Sequence, residues 1–277
     1  MTAHSKSSAR RLRVAMIGFG ACGRAVAEML AAGRGGEADV VAVLVRDVAR
    51  YRSADGGGSI PFVASIDALL AARPDLIVEV AGHEALAAHG ERILASGGVL
   101  MTLSSGLLAD DAMRERLIEA AERGGGRLIL PSGAIAGLDA IESAAFIGIE
   151  RAVHVVRKPP PALLPPDEAA AVSASGEPRE LYRGPAREAA RRFPANVNVV
   201  ALVALAGVGM DATEAVVIAD PSVERNTHEV TVEGAFGSIE VRVQNVPSPG
   251  QPKTGLIVAG SVVRAIRRLG SQPLIGG

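Results

Sequence analysis

A glycine-rich turn near the start of the chain is the feature that most restricts its fold. Residues 14–17 form a short apolar run, which is typical of a buried strand, and Gly18, Gly20 and Gly23 follow it at G-x-G-x-x-G spacing. The next segment has helical character and ends at Gly33. A strand, a tight glycine turn and a helix in this order predict a turn that holds the pyrophosphate of a dinucleotide at the helix N-terminus.

Each glycine of this motif meets a separate requirement. Gly18 permits the sharp turn, Gly20 lets the backbone approach a pyrophosphate, and Gly23 lets the helix pack closely on the strand. A turn without a ligand is the alternative, because a chain with 32 glycines can produce this spacing by chance. The strand–turn–helix context favours the ligand. Ala21 and Cys22 lie within the motif, and we expect both to contact the cofactor.

Composition excludes several classes of protein. A hydrophobic fraction of 48% in 277 residues supports a sizeable core, and the formal net charge of -1 gives no electrostatic case for binding nucleic acid or an anionic membrane. Cys22 is the only cysteine, which rules out an intrachain disulfide and a cysteine-based metal cluster. Residues 1–11 are unlike a signal peptide, and the apolar residues 197–210 are too few to span a bilayer, so we expect a cytoplasmic protein.

Strand-like and helix-like segments alternate through the first half of the chain. The predicted strands are residues 40–45, 76–80, 99–103 and 127–130, and the predicted helices are residues 65–72, with Ser65 as N-cap, 84–95 and 110–123. This alternation predicts an α/β fold, with a Rossmann domain and its parallel sheet over residues 1–136. Ligands of such sheets bind beyond the carboxyl ends of the strands. That rule selects residues 82–83, 104–106 and 131–134 as the rim of the cleft. At this rim we expect the cofactor to contact Gly82, Ser105 and Ala134, together with the adjacent Ala81.

The pattern changes after about Gly137. Residues 214–219, 227–233 and 238–243 are interpreted as antiparallel strands, residues 152–158 as a half-exposed strand, residues 188–192, 196–206 and 253–269 as helices, and residues 159–178 and 247–252 as loops. This pattern predicts a second α+β domain over residues 137–252, which carries catalysis and dimerisation on a mixed or antiparallel sheet. We expect the last helix, within residues 253–277, to pack back on the first domain.

The residues after the second predicted strand leave the choice between NAD and NADP open. An acidic residue there holds the ribose 2′-OH of NAD, whereas an arginine accommodates the 2′-phosphate of NADP. Arg46 and Asp47 stand side by side at this place. Both cofactors therefore remain candidates, with Arg46 as an expected contact, and a surface ion pair without a ligand is the alternative.

The second half offers candidates for substrate binding and proton transfer. Asn196 and Asn198 lie at a predicted helix start, where amides can donate to a carboxylate. Thr227 and His228 open a predicted strand, and Lys253 opens the last predicted helix. The alternatives are structural roles: a helix cap for either asparagine, a surface strand for His228 and a solvated cation for Lys253.

Two other histidines bear on the choice of the catalytic base. His83 lies near the expected rim of the cleft and is a second candidate for proton transfer. His154 alternates with valines in a predicted strand, which is typical of a structural residue. The sequence therefore favours His228, with His83 as the second candidate.

Five segments taken together resemble the L-aspartate dehydrogenase family over nearly the full length of the chain. They are VAMIGFGACG, SGAIAGLDA, FPANVNV, NTHEV and PKTG. The resemblance implies a Rossmann domain, an α+β catalytic domain and a homodimer. It also implies the oxidation of L-aspartate with NAD or NADP to iminoaspartate, which hydrolyses to oxaloacetate and ammonia or feeds NAD biosynthesis.

Carried over residue by residue, the resemblance makes His228 the catalytic histidine and makes Asn198 and Ala134 cofactor contacts. The two substrate carboxylates need donors, for which the candidates are Asn196, Asn198, Thr227 and Lys253. His228 would accept the proton of the substrate ammonium group or activate the water that attacks the imine. A glycine, Gly255, replaces the commoner serine after PKT, and this departure does not touch the expected chemistry.

Two other functions would use the same fold. A nicotinamide enzyme of the homoserine dehydrogenase or dihydrodipicolinate reductase type would share the first domain but would act on another substrate. A non-catalytic NAD(P)-sensing protein would bind the cofactor without turning over any amino acid. The presence of NTHEV together with PKTG favours the aspartate enzyme.

Overall fold

The computed structural model describes residues 10–54, 60–193, 197–248 and 251–270. The chain forms two compact units that alternate along the sequence. The first unit comprises Met1–Thr102, Glu115–Pro131 and Ala259–Ile275, and the second comprises chiefly Leu103–Arg114 and Ser132–Val258.

The first unit is built on a six-stranded parallel sheet. Its strands are β1 (Leu12–Ile17), β2 (Ala38–Leu44), β3 (Phe62–Val63), β4 (Leu76–Glu79), β5 (Val99–Thr102) and β6 (Arg127–Ile129). They lie in the order β3-β2-β1-β4-β5-β6, and all neighbours pair in parallel. This order is that of a doubly wound Rossmann sheet, so the predicted fold class of the first domain is confirmed.

Helices connect the strands of this sheet, as parallel strands require. They are α1 (Ala21–Ala31), α2 (Val48–Ala54), α3 (Ile66–Ala71), α4 (His83–Ala95) and most of α5 (Asp111–Gly124), and most of α10 (Leu256–Gly270) also belongs to this unit. The predicted N-cap of α3 is confirmed, because the Ser65 side chain accepts a hydrogen bond from the Ala68 N–H at 3.2 Å. Most apolar side chains of β1, β4 and β5 are buried and form part of the core.

The second unit is built on a five-stranded mixed sheet. Its strands are β7 (Ile149–Lys158), β8 (Arg179–Pro185), β9 (Glu214–Ala219), β10 (Asn226–Gly234) and β11 (Gly237–Asn245). They lie in the order β11-β10-β7-β9-β8. Only β7 and β9 pair in parallel, and the other neighbours are antiparallel.

The helices of the second unit are α6 (Leu138–Ile147), α7 (Pro166–Ser175), α8 (Ala186–Arg192) and α9 (Val197–Ala206), together with short 3-10 helices at Ser105–Ala109 and Pro160–Ala162. Helix α9 is the central packing element, because Val200 and Ala201 join one apolar cluster with β7 and α8, while Val199 and Val203 join another with β10 and α6. A two-stranded ribbon, β12 (Pro247–Ser248) with β13 (Gln251–Gly255), precedes α10.

The segment Leu103–Arg114 belongs to the second unit although it directly follows a strand of the first. Its 3-10 helix is bonded to α9 through Ser105 and Gly106, which hydrogen-bond to Asn198. The sequence pattern instead places this segment in a predicted first domain of residues 1–136. The difference arises because the contacts that attach the segment to the second unit join residues far apart in the sequence, which the pattern does not show.

The prediction of a loop over residues 159–178 is wrong for its central part, which forms α7. Pro166 stands in the first turn, where a helix needs no N–H donor, and Asp167 and Glu168 in that turn suit the positive end of the helix dipole. Gly176 ends the helix in the left-handed conformation at φ +71°. The prolines therefore mark the start of a helix, and residues 179–185, for which no structure is predicted, form β8.

Two further predictions about the second half are wrong in detail. Strand β9, expected to be antiparallel, runs parallel to β7 and antiparallel to β8. The last helix begins at Leu256 rather than at residue 253, because Gln251–Gly255 pair with Pro247–Ser248. Lys253 therefore lies in β13 and does not open a helix, and residues 247–252 contain strands rather than a plain loop.

The packing of α1 on β1 predicts different outcomes for two alanine substitutions in the glycine motif. A Cβ on Gly23 would lie 2.6 Å from the Gly18 carbonyl oxygen, whereas a Cβ on Gly20 would meet no atom within 4 Å. We expect Gly23→Ala to lower the free energy of unfolding by about 1–3 kcal/mol, because α1 must shift. Gly20→Ala should change it by less than about 0.5 kcal/mol. Urea unfolding measures both, and an equal loss in the two variants would contradict this packing.

Candidate functional site

The residues expected from the sequence fall into two groups, one in each unit. The first unit holds Gly18, Gly20, Ala21, Cys22, Gly23, Arg46, Ala81 and Gly82, and the second holds Ser105, Ala134, Asn198, Thr227 and His228. Asn196 lies outside the described residues, and for Lys253 only the backbone is described.

In the first unit, the glycine motif packs tightly on the turn that follows β4. Gly18 has φ +96°, and a Cβ at this position would lie 2.7 Å from the Ala81 Cβ. Glycine meets both conditions, because other residues are strained at positive φ and would clash here. Gly20 is the N-cap of α1, and no acidic residue stands in the first turn of that helix. The N-terminus of α1 can therefore accept an anion.

A buried carboxylate, Glu79, holds the turn between β4 and α4. Its side chain is 0% exposed, and its Oε1 accepts hydrogen bonds from the backbone N–H groups of Ala81 and Gly82, both at 2.7 Å. The Thr102 hydroxyl donates to its other oxygen. These three donors satisfy a group that is costly to bury without partners, and they fix the turn that lies against Gly18.

Cys22 lies in the first turn of α1 and is a poor nucleophile. Burial, with a smaller contribution from the carboxylate of Glu79, raises the pKa of the Cys22 thiol to about 11. The thiol therefore stays protonated near neutral pH, and the reactive thiolate is scarce. This agrees with a packing role within the motif.

The loop after β2 carries Arg46 and Asp47, both exposed. Asp47 Oδ1 accepts a hydrogen bond from the Arg50 N–H at 3.1 Å, so this carboxylate caps the start of α2. Arg46 has no such role among the contacts of the described residues.

An aromatic cluster ties the glycine turn to this part of the unit. The Phe19 ring lies edge-on to Tyr51 on α2 and to Phe62 on β3, with ring centroids 5.7 Å and 5.0 Å apart. In a chain with only 3% aromatic residues, the cluster fixes the loop that carries Arg46 next to the motif.

In the second unit, Asn198 connects α9 to the 3-10 helix Ser105–Ala109. Its Oδ1 accepts a hydrogen bond from the Gly106 N–H, and its backbone carbonyl accepts one from the Ser105 hydroxyl, both at 2.9 Å. Ala134 is held in a similar way, because the Asn245 side-chain amide donates to its carbonyl oxygen at 3.1 Å. The side chain of Asn198 thus binds the loop that carries Gly106.

His228 forms a pair with a second histidine, His154. The two residues lie on adjacent antiparallel strands, where His228 is opposite Val156 and His154 is opposite Val230. Their side chains therefore project from the same face of the sheet. The ring planes are 22° apart with centroids 5.3 Å apart, and His154 Nε2 lies 3.1 Å from His228 Nδ1.

Both histidines of this pair are buried and neutral near pH 7. His154 is 0% exposed and His228 is 6% exposed. Burial, and then the cationic side chain of Lys158, lowers the pKa of His228 to about 4. Burial and the neighbouring His228 lower the pKa of His154 well below its usual value. His154 Nδ1 has no hydrogen-bond partner among the described protein atoms.

Thr227 projects from the opposite face of the sheet to His228, because successive side chains of a strand alternate. Thr227 is 0% exposed, and its hydroxyl donates to the Arg225 carbonyl at 3.2 Å. The structure therefore does not bring these two predicted site residues together.

Sequence reasoning misses three residues of these arrangements. Glu79 has a weak signal, a charged residue inside the apolar run LIVEV. His154 and Lys158 have none, because their strand resembles any alternating strand until its pairing with β10 is known.

Within the described ranges, no three His, Cys, Asp or Glu side chains gather as possible metal ligands. In the same ranges, no helix has the length and apolar character needed to cross a bilayer.

Two family models match the chain. The C-terminal model of aspartate dehydrogenase matches residues 139–269, and the NAD binding domain of homoserine dehydrogenase matches residues 18–131. Among solved structures, aspartate dehydrogenase from Thermotoga maritima is similar with a TM-score of 0.76 at 23% identity, covering 96% of this chain and 100% of that one. A homoserine dehydrogenase from Thiobacillus denitrificans has a TM-score of 0.66 at 15% identity, covering 95% and 75%. These structural matches show the fold.

Curated relatives give the family. L-aspartate dehydrogenase 2 of Bordetella pertussis is 42% identical over 264 residues, which cover 92% of this chain and 96% of the relative. L-aspartate dehydrogenase of Methanosarcina barkeri is 42% identical over 206 residues, which cover 73% and 76%. With such identity along nearly the whole of a relative, the chain belongs to the L-aspartate dehydrogenase family.

Proposed function

We propose that this protein oxidises L-aspartate to iminoaspartate, with NAD or NADP as the acceptor. The identity of 42% across 96% of a curated L-aspartate dehydrogenase carries this proposal. Iminoaspartate then hydrolyses to oxaloacetate and ammonia, or passes to NAD biosynthesis. A cytoplasmic location is part of the same proposal.

The first unit fits a nicotinamide dinucleotide. Gly20 leaves open the space next to the N-terminus of α1, and the helix offers N–H donors with no acidic side chain in its first turn. The proposed contacts are Gly18, Gly20, Ala21, Cys22, Gly23, Arg46, Ala81 and Gly82, and from the second unit Ser105, Ala134 and Asn198. When bound, the cofactor supplies the acceptor for the hydride that leaves the Cα of L-aspartate.

His228 is the proposed proton acceptor. It is neutral, and its Nδ1 is engaged with His154, so Nε2 is the nitrogen left to exchange a proton with the substrate ammonium group or with water. A base with a pKa of about 4 is weak at pH 7. The two carboxylates of L-aspartate offset the effect of Lys158 and raise this pKa when substrate binds.

Asn196, Asn198 and Lys253 are the proposed donors to the substrate carboxylates. Amide N–H groups and an ammonium group are the donors that such anions need. Thr227 is not included, because its hydroxyl proton is directed to Arg225 and its side chain projects from the other face of the sheet to His228.

We also propose a homodimer. Phe146 is 94% exposed and Ile147 is 62% exposed at the end of α6, and such adjacent exposed apolar side chains suit a surface that a second copy of the chain covers. Light scattering should give twice the chain mass, and Phe146→Ser should shift the mass towards that of one chain. A monomeric wild-type protein at micromolar concentration would refute the dimer.

The substrate is tested by following reduced-cofactor absorbance on mixing the protein with L-aspartate and either NAD or NADP. We expect a rise with L-aspartate alone among L-aspartate, D-aspartate, L-glutamate and L-homoserine. Turnover of L-homoserine would favour the homoserine enzyme. Cofactor binding without turnover of any amino acid would favour a sensor.

Replacing the proposed base should remove turnover and keep the cofactor. His228→Ala is expected to lower kcat with L-aspartate by about 100-fold or more, because proton transfer by a positioned side chain contributes at least this factor. Cofactor affinity, measured by fluorescence titration, should stay within about twofold. His89→Ala, a histidine of α4 outside the proposed machinery, is the matched control. Equal losses of kcat and cofactor affinity would indicate a structural role for His228.

We expect Arg46 to determine the kcat/KM of the enzyme for NADP. Asp47 already caps α2, so we expect Arg46 to bind the 2′-phosphate. Loss of one charge-assisted hydrogen bond is worth about 1.5–3 kcal/mol, so Arg46→Ala should lower kcat/KM for NADP by about tenfold or more and leave that for NAD nearly unchanged. Arg34→Ala, an exposed arginine beyond α1, is the control. A drop of the same size with both cofactors would contradict this role.

A further inference from the structure

We infer that His154 is a positioning residue for His228: it accepts a hydrogen bond from Nδ1 of His228 and thereby leaves Nε2 as the basic nitrogen. The inference rests on the proposed function, because it concerns the same proton acceptor. It assigns a task to a residue for which the sequence indicates a structural role alone.

The geometry restricts what the two rings can do. They come from the neighbouring strands β7 and β10, whose pairing is regular from residues 227 to 233. The Nε2 to Nδ1 distance of 3.1 Å is that of a hydrogen bond. Each ring is therefore held by the sheet, and the contact sets the rotation of the His228 ring about its side-chain bonds.

Burial limits the number of protons on the pair. Both rings are excluded from solvent, so a positive charge on His154 is costly. The low pKa of His154, caused by burial and by the neighbouring His228, agrees with a neutral ring. One proton is then shared between the facing nitrogens, since a neutral imidazole has one donor and one acceptor nitrogen.

Two arrangements of this proton exist, and they give His228 opposite properties. If His154 Nε2 carries the proton, His228 carries its own on Nε2, which is then a donor and cannot act as a base. If His228 Nδ1 carries it, His228 Nε2 has a lone pair and can accept a proton from the substrate. A catalytic base requires the second arrangement, in which His154 is the acceptor.

The second arrangement places an N–H on His154 Nδ1, which has no partner among the described protein atoms. A buried donor without a partner destabilises the folded protein. An apolar residue at position 154 would remove that unpartnered donor. Replacing His154 in this way should therefore lower kcat much more than it lowers the free energy of unfolding. This separates a positioning role from a purely structural one.

Three variants test the inference. His154→Leu removes the acceptor, His154→Gln keeps an amide oxygen that can accept from Nδ1, and Val155→Ala disturbs the same strand on its opposite face. We expect His154→Leu to lower kcat by about 100-fold, as expected when a catalytic histidine loses its proper tautomer, with cofactor affinity and the urea midpoint close to wild type. His154→Gln should recover most of the activity, and Val155→Ala should keep it.

The tautomer itself is measured by nitrogen-15 NMR of histidine-labelled protein, which has five histidines to assign. We expect the His228 proton on Nδ1 in the wild type and on Nε2 in His154→Leu. A wild-type proton on Nε2, or a kcat for His154→Leu no lower than that of Val155→Ala, would overturn the inference. The spectrum needs no substrate, so an absence of aspartate turnover in the wild type would refute the proposed function and leave this arrangement to be judged by NMR.

Discussion

The close approach of two turns at the centre of the first sheet is the constraint on which the rest of that unit depends. Gly18 and Ala81 lie in the turns that follow the neighbouring strands β1 and β4, between which the strand order of the sheet reverses. Glu79 then fixes the second turn by binding its N–H groups. Helices α1 and α4 start from these turns, so the contact sets where both N-termini lie and hence where an anionic ligand can bind.

The buried Glu79 of the first unit and the buried histidine pair of the second have their hydrogen-bonding groups paired in different ways. Glu79 receives three donors from its own unit, so its hydrogen bonds allow a single arrangement. His154 and His228 contact each other, and the proton between the two neutral rings can lie on either of the facing nitrogens, which gives two arrangements. The first group suits a fixed support for a backbone turn. The second suits a site whose task is to move a proton.

Features that depend on neighbours in sequence are the ones that could be predicted. The alternation of apolar runs and helical segments predicts the parallel sheet, and Ser65 predicts the cap of α3. The composition of residues 166–175 misleads, because prolines and alanines occur in loops and at helix starts alike. The contact of Glu79 with Thr102 and that of His154 with His228 could not be predicted, since these partners are 23 and 74 residues apart and strand register brings them together.

The interleaving of the two units along the chain has a consequence for how the protein is made. The chain passes from one unit to the other after residues 102, 114, 131 and 258. Neither unit is a continuous segment of the chain, so neither can be exchanged between proteins as one piece or isolated by a single truncation. Most of the helix α10 belongs to the first unit but emerges from the ribosome after nearly all of the second, so the first unit can be completed only after most of the second has been synthesised.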